Sequence, residues 1–255
     1  MKKLLYLFSA IALVFTSCSN DDPAPVVPAP VASTPVLVTR TIETLDDGST
    51  FTSEYEYLGT KIVKTTDDEG YTTCDYTGDL ITEFKYYESS ILVQTEKYEY
   101  DINENIITYT IIDNIDTSWG NKETYTYNAN GTISVNYYIG DAFSQTTLNK
   151  TGTISFVGGE VSQITFNQGG VIRTRTYTYD NKNNPFINVT GLDKIAFCGQ
   201  VASGNLHNIT QEDDSDDSDN YTYTYNYNSN NYPINESETA GYSGEVTTTQ
   251  FFYNQ

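Results

Sequence analysis

The sequence predicts an all-β protein: an antiparallel hairpin meander of roughly 14 to 16 strands, curled into an open or closed soluble barrel. Three observations predict it. Along most of the chain, tyrosine, isoleucine and valine alternate with threonine, serine, asparagine and charged residues, the period of a strand with one packed face. The runs are joined by short turns rich in Gly, Asn and Asp, not by the helical crossovers that parallel strands need. No stretch sustains an apolar period of about 3.6 residues, so helix content should be low. One face packs and the other is wet, whereas a membrane barrel needs an apolar outer band.

The clearest unit is residues 121–138. Tyr125 and Tyr127 share one face, opposite Thr124 and Thr126. Asn128, Asn130 and Gly131 tolerate the positive φ of a tight turn. Ile133, Val135 and Tyr137 then oppose Thr132, Ser134 and Asn136. Upstream, alternation starts over 36–42, turns at Asp46-Asp47-Gly48-Ser49 and returns over 51–57, where Phe51, Ser53, Tyr55 and Tyr57 share a face. Residues 61–66, 71–76, 80–87, 91–100 and 106–112 continue the meander, with Gly59, Gly70, Gly78, Ser89-Ser90 and Asn103-Glu104-Asn105 in the turns. Downstream come 143–149, 151–157, 161–167 and 171–179, with turns at Lys150-Thr151-Gly152, Gly158-Gly159 and Gly169-Gly170. Residues 221–227, 232–238 and 246–253 close the chain.

The pattern breaks once, over an irregular segment at 180–220. A structureless stretch of that length within a compact domain is either functional or partly disordered. It holds His207, the one histidine, together with Cys198 and the densest acidic run, 212–219. Phe186 is expected to dock the segment on the sheet, with Phe197 as a second anchor, and the acidic run is expected to stay mobile.

Residues 1–17 read as a processing signal: Lys2-Lys3, an apolar core over 4–14, then Phe15-Thr16-Ser17 before Cys18. The core is shorter than the roughly 20 residues of a membrane-spanning helix. The stretch resembles a bacterial lipoprotein signal, which implies that Cys18 becomes the first residue and carries lipid; Phe15 departs from the usual leucine of that motif. Ser19-Asn20-Asp21-Asp22 resembles the acidic export tag of surface lipoproteins in Bacteroidota. Five of the seven prolines follow between Pro23 and Pro35, so 18–35 reads as a semi-rigid stalk roughly 40 Å long. Residues 36–255 are then one all-β domain. Removing 1–17 takes two lysines and no acid, moving the net charge from −21 to −23. Such a surface repels a phosphate backbone and excludes nucleic acid as a partner.

A signature recurs: Tyr98-Glu99-Tyr100-Asp101, Tyr125-Thr126-Tyr127-Asn128, Tyr177-Thr178-Tyr179-Asp180 and Tyr225-Asn226-Tyr227-Asn228. Its last tyrosines lie 27, 52 and 48 residues apart, near one or two multiples of roughly 25, the length of one hairpin with its turns. The signature resembles the YD repeats of RHS-type proteins, although the arginine and glycine usual late in that repeat are missing. More closely, the chain resembles uncharacterised Bacteroidota lipoproteins whose domain is described as having a porin-like fold. That resemblance implies a hairpin meander and no activity.

The chemistry-bearing residues point away from catalysis. His207 has no serine or cysteine at a spacing that suggests a nucleophile pair, and no HExxH or phosphate loop occurs. No catalytic residue and no cofactor is therefore assigned. The run 212–219 offers oxygen ligands, but from Asp214 the EF-hand positions that need glycine and glutamate hold Asp219 and Tyr225, so no metal site is assigned. Cys74 and Cys198 remain after Cys18, and outside the cytoplasm they are a candidate disulfide. Tyr221, Tyr223, Tyr225 and Tyr227 share one strand face, either as flat platforms for sugar rings or as sheet core with hydroxyls at the rim.

These readings lead to an outer-membrane lipoprotein, exposed at the cell surface and held to the membrane through its N-terminal lipid. Two non-enzymatic roles stay open: a binding module for a glycan or a surface protein, or a structural or assembly component of the envelope.

Overall fold

The computed structural model describes residues 34–216 and 220–255. Pro35–Gln255 form one compact unit. The signal, Cys18 and nearly all of the expected stalk lie outside the described residues.

Sixteen strands follow one another: β1 (Val38–Thr44), β2 (Thr50–Leu58), β3 (Lys61–Thr66), β4 (Gly70–Thr77), β5 (Leu80–Glu88) and β6 (Ile91–Tyr100). Then come β7 (Ile106–Asp113), β8 (Gly120–Tyr127), β9 (Ile133–Gly140), β10 (Gln145–Val157), β11 (Glu160–Gln168) and β12 (Val171–Tyr179). A helical turn, α1 (Leu192–Ile195), precedes β13 (Ile209–Asp214), β14 (Tyr221–Tyr227), β15 (Pro233–Ala240) and β16 (Val246–Tyr253). Each strand pairs with the next, and β1 pairs antiparallel with β16, so the meander closes into a barrel without a free edge.

Two details differ from the sequence pattern. The runs at 143–149 and 151–157 are one strand, β10, bent by register shifts near Thr147 and Lys150. Gly152 is strand and not turn: a Cβ there would lie 2.8 Å from the Thr165 carbonyl oxygen and 3.0 Å from the Tyr137 ring. In addition, β13 lies inside the segment expected to be irregular.

The repeated tyrosines have a structural cause. Register shifts fall at Val38, Ile81, Val161, Ile209 and Pro233. A bulge takes a backbone group out of the ladder and leaves it needing another partner. In every case a tyrosine on the following strand donates its hydroxyl to that residue's carbonyl. Tyr57 reaches Val38 at 2.7 Å, Tyr100 reaches Ile81 at 2.7 Å and Tyr179 reaches Val161 at 2.7 Å. Tyr225 reaches Ile209 at 2.8 Å and Tyr253 reaches Pro233 at 2.6 Å.

The acid or amide after the tyrosine then folds the turn. Asp101 accepts the Asn103 and Asn105 amides at 2.8 and 2.9 Å, and Asn228 accepts those of Asn230 and Tyr232 at 2.9 and 3.1 Å. A Tyr-x-Tyr-Asp unit is thus a bulge filler followed by an Asx turn.

The alternation sets which residues face in. Tyr125, Val135, Ile154, Ile164 and Tyr177 are buried on the inner wall. Thr174 and Thr176 on β12, and Thr222, Thr224 and Asn226 on β14, face out. Charged pairs also cross the outer wall: Lys64–Glu56 at 3.4 Å, Lys85–Asp75 at 2.8 Å and Lys85–Glu83 at 2.5 Å. At a bilayer midplane an outward Lys or Arg costs about 2–4 kcal/mol. This outer wall is built to meet water.

Candidate functional site

The long connection between β12 and β13, residues 180–208, packs inside the barrel. Its contacts come from strands all around the ring. Phe186 meets the Tyr55 ring of β2 edge-on at 5.4 Å. Thr190 bonds Thr60 through both its amide, at 3.0 Å, and its hydroxyl, at 2.7 Å. Phe197 packs edge-on against Tyr125 of β8 and Phe156 of β10, at 5.5 and 5.8 Å. Ala202 donates its amide to the Tyr177 hydroxyl of β12 at 3.3 Å. Gly191 lies so near the β4–β5 turn, at φ 85°, that a Cβ would stand 2.8 Å from the Asp79 carbonyl oxygen.

Two buried carboxylates hold this plug. Glu160, at the start of β11, accepts the amides of Asn205, Leu206 and His207 at 3.0, 2.7 and 2.8 Å. Glu123 of β8 accepts the Gly199 amide at 3.1 Å, the Gln200 side chain at 3.4 Å and the Tyr125 hydroxyl at 2.5 Å. Burial pushes the Glu123 carboxyl upward, and these three donors act against it.

The turns that the plug touches, after β2, β4, β10 and β14, all lie at one end of the barrel, which also carries Pro35 and Gln255. At the other end the described connections are short turns, of two to six residues by the strand bounds. The chain is a cup closed at one end by its own segment.

The cup's inner wall has two chemically distinct sides. On β14, Tyr221, Tyr223, Tyr225 and Tyr227 share the inward face, as the alternation requires. Tyr225 pairs with Glu236 and Tyr223 with Glu238 across β14 and β15. Tyr227 donates to Asp180. The tyrosines are half-buried on the inner face, and the hydroxyls of Tyr225 and Tyr227 are tied to Ile209 and Asp180. On the other side, Lys150 of β10 and Arg173 and Arg175 of β12 line a cavity of about 560 Å³ with Phe166, Gln200 and Val201.

A search for known relatives supports the architecture. No family model matches the sequence, and no curated protein matches it. Among solved structures, a porin-like protein from Bacteroides uniformis superposes with a TM-score of 0.51 at 14% identity, covering 85% of this chain and 98% of that one. A porin-like protein from Bacteroides vulgatus gives a TM-score of 0.50 at 13% identity, covering 86% and 99%. At such identities the likeness shows the fold: a closed antiparallel barrel shared along nearly its whole length.

The remaining site residues fall as follows. Cys74 and Cys198 are both free thiols, so the candidate disulfide is not formed. Burial pushes the Cys74 thiol up to about 12 and Cys198 well above its ordinary value, which keeps both protonated and unreactive. His207 sits on the plug with Nδ1 3.5 Å from Glu160. Glu160 already serves three amides, a holding role.

The acidic run corrects an expectation. Asp214 is not mobile but buried, accepting from Arg173 at 2.6 Å and Arg175 at 3.0 Å, with Glu212 3.0 Å from Arg175. Burial alone would raise the Asp214 carboxyl, but the two arginines and the Asp216 amide together hold it below the usual range. Residues 217–219 of the run lie outside the described residues. The signal missed by the sequence reading was charge alternation: Glu212 and Asp214 point in against Arg175 and Arg173 where apolar residues were sought.

Glu236 gives the site a pH signature. Burial, then the Glu238 and Glu43 charges, raise its carboxyl to about 7, while the Tyr225 hydroxyl acts the other way. The unfolded chain loses this proton near pH 4.5 and the folded chain near 7. Stability present below pH 4.5 is therefore lost as pH rises through 7. Glu236→Gln should stabilise the protein at pH 8, by up to about 3 kcal/mol, and change little at pH 4. Urea melts at the two pH values check this; equal effects at both would place Glu236 in water.

Proposed function

We propose that this chain is a non-catalytic binding module of the bacterial envelope, anchored by lipid at Cys18 and displayed at the cell surface, whose cup takes a glycan or a segment of a surface protein. The observation that carries this reading is the pairing of a water-facing outer wall with an inner wall lined by tyrosine rings. A barrel that conducts through a bilayer needs the reverse placement on its outside. Aromatic rings beside carboxylates suit sugars, stacking on the apolar faces of the rings while the acids accept hydroxyl protons. The protonated thiols and the structural use of Glu160 favour binding over catalysis.

A glycan array probed with the full chain tests the reading, with Tyr223→Ala and Tyr225→Ala as controls. Binding lost in both variants is the expected result. No glycan hits, together with co-purification of envelope proteins by both wild type and variants, would favour a structural or assembly role instead. The tether is tested separately: Cys18→Ala should release the protein from membranes, and unchanged fractionation would overturn the anchor.

A further inference from the structure

The cavity between β10, β12 and the plug is chemically separate from the tyrosine wall. Its three cations are not equivalent. Arg175 is matched by Glu212 and Asp214, both at 3.0 Å. Arg173 is matched by Asp214 at 2.6 Å, with Asp216 at 3.9 Å. Lys150 has no carboxylate within 4 Å among the described residues; its ammonium donates to the Gln200 side chain. It is held over two aromatic faces, 5.1 Å from the Tyr137 centroid and 4.8 Å from that of Phe166. An ammonium in such surroundings has lost part of its hydration and reaches the Glu123 carboxylate only across the Gln200 side chain, which is costly. Burial pulls the Lys150 ammonium below its usual range, and the arginine charges add to that against the pull of Glu123.

Where it opens, the cavity is lined by two valines together with the polar Gln168 and Asp216. The two valines, Val171 and Val201, are 72% and 43% exposed. At about 560 Å³ the cavity falls in the range of small-molecule sites, roughly 300–1,000 Å³. One cation without a direct counter-charge behind two exposed valines calls for one negative charge behind an apolar body.

We propose that this cavity binds a monoanionic amphiphile, a carboxylate on an aliphatic chain, with the carboxylate on Lys150 and Gln200 and the chain along Phe166, Val201 and Val171. A carboxylate gives Lys150 a direct counter-charge. A dianionic phosphate brings a second charge for which the matched arginines leave no partner. This site goes beyond the glycan or protein reading and stands whether or not that reading holds.

Calorimetric titration of the full chain with decanoate, below its micelle concentration, tests the proposal. Decyl phosphate, decyltrimethylammonium and acetate serve as comparison probes. Decanoate should bind best, acetate and the cation not measurably. Lys150→Met should weaken decanoate at least about tenfold, the loss of one charge-assisted contact, and Lys150→Arg much less. Val171→Asp, at an exposed position that should not disturb folding, should weaken it too. Failure of decanoate to bind wild type, equal binding by Lys150→Met, or equal binding of decyltrimethylammonium would each overturn the proposal. Tighter binding of decyl phosphate than of decanoate would overturn the monoanion assignment.

Discussion

Glu160→Ala should lower stability by about 3–5 kcal/mol, because three part-buried amides lose their common buried acceptor at once. Glu160 is 5% exposed and receives the Asn205, Leu206 and His207 amides, all within 3.0 Å. In a domain of this size that is a fall in Tm of roughly 10 °C. Glu160→Gln keeps one oxygen for the Leu206 and His207 amides and should recover about half of the loss. If both variants melt like wild type, the end of the plug is not held as described.

The second large effect lies in the plug's aromatic anchors. Phe197 is 7% exposed and meets Tyr125 and Phe156 edge-on. Removing it leaves a void between the plug and two strands, and Phe→Ala at such a site costs about 3–5 kcal/mol. Phe186 is less buried, and its one close ring contact is Tyr55. Phe186→Ala should therefore cost less, about 2 kcal/mol. From the sequence alone Phe186 is the expected first anchor and Phe197 the second, the opposite order. The reverse order in chemical denaturation would show that the segment packs chiefly through its first turn.

The comparison of these two rings shows what a linear pattern can carry. The hairpins were legible because each inner face reads as Tyr, Ile or Val at alternate positions, and because Asp101 and Asn228 stand where an Asx turn must begin. The repeated tyrosine was legible as a motif but not as a bulge filler, since the carbonyl it satisfies belongs to the preceding strand. Strand β13 was hidden because its inward residues, Glu212 and Asp214, are acids whose arginine partners lie almost 40 positions earlier. Gly152 read as a turn because the ring that excludes a side chain there comes from Tyr137 on the neighbouring strand. The plug's place inside the barrel had no local signature: its residues are ordinary loop residues, and what fixes them are Glu123 and Glu160 on distant strands.

The same logic bears on the two binding readings. The tyrosine wall was foreseeable from Tyr221 to Tyr227 alone. The Lys150 cavity was not, because it forms only when β10, β12 and the plug come together. Charge composition even pointed away from it, with 34 acids against 13 lysines and arginines.

Residues 180–208 fill and close one end of the barrel as part of its folded core. Amide hydrogen exchange tests it most directly, read at Gly199, Ala202, Asn205, Leu206 and His207, whose amides all bond to barrel side chains. These amides should exchange only as slowly as those of the central strands, through global unfolding, and should accelerate together in Glu160→Ala. Exchange at the rate of a free loop in wild type, with the strands still protected, would contradict the plugged cup.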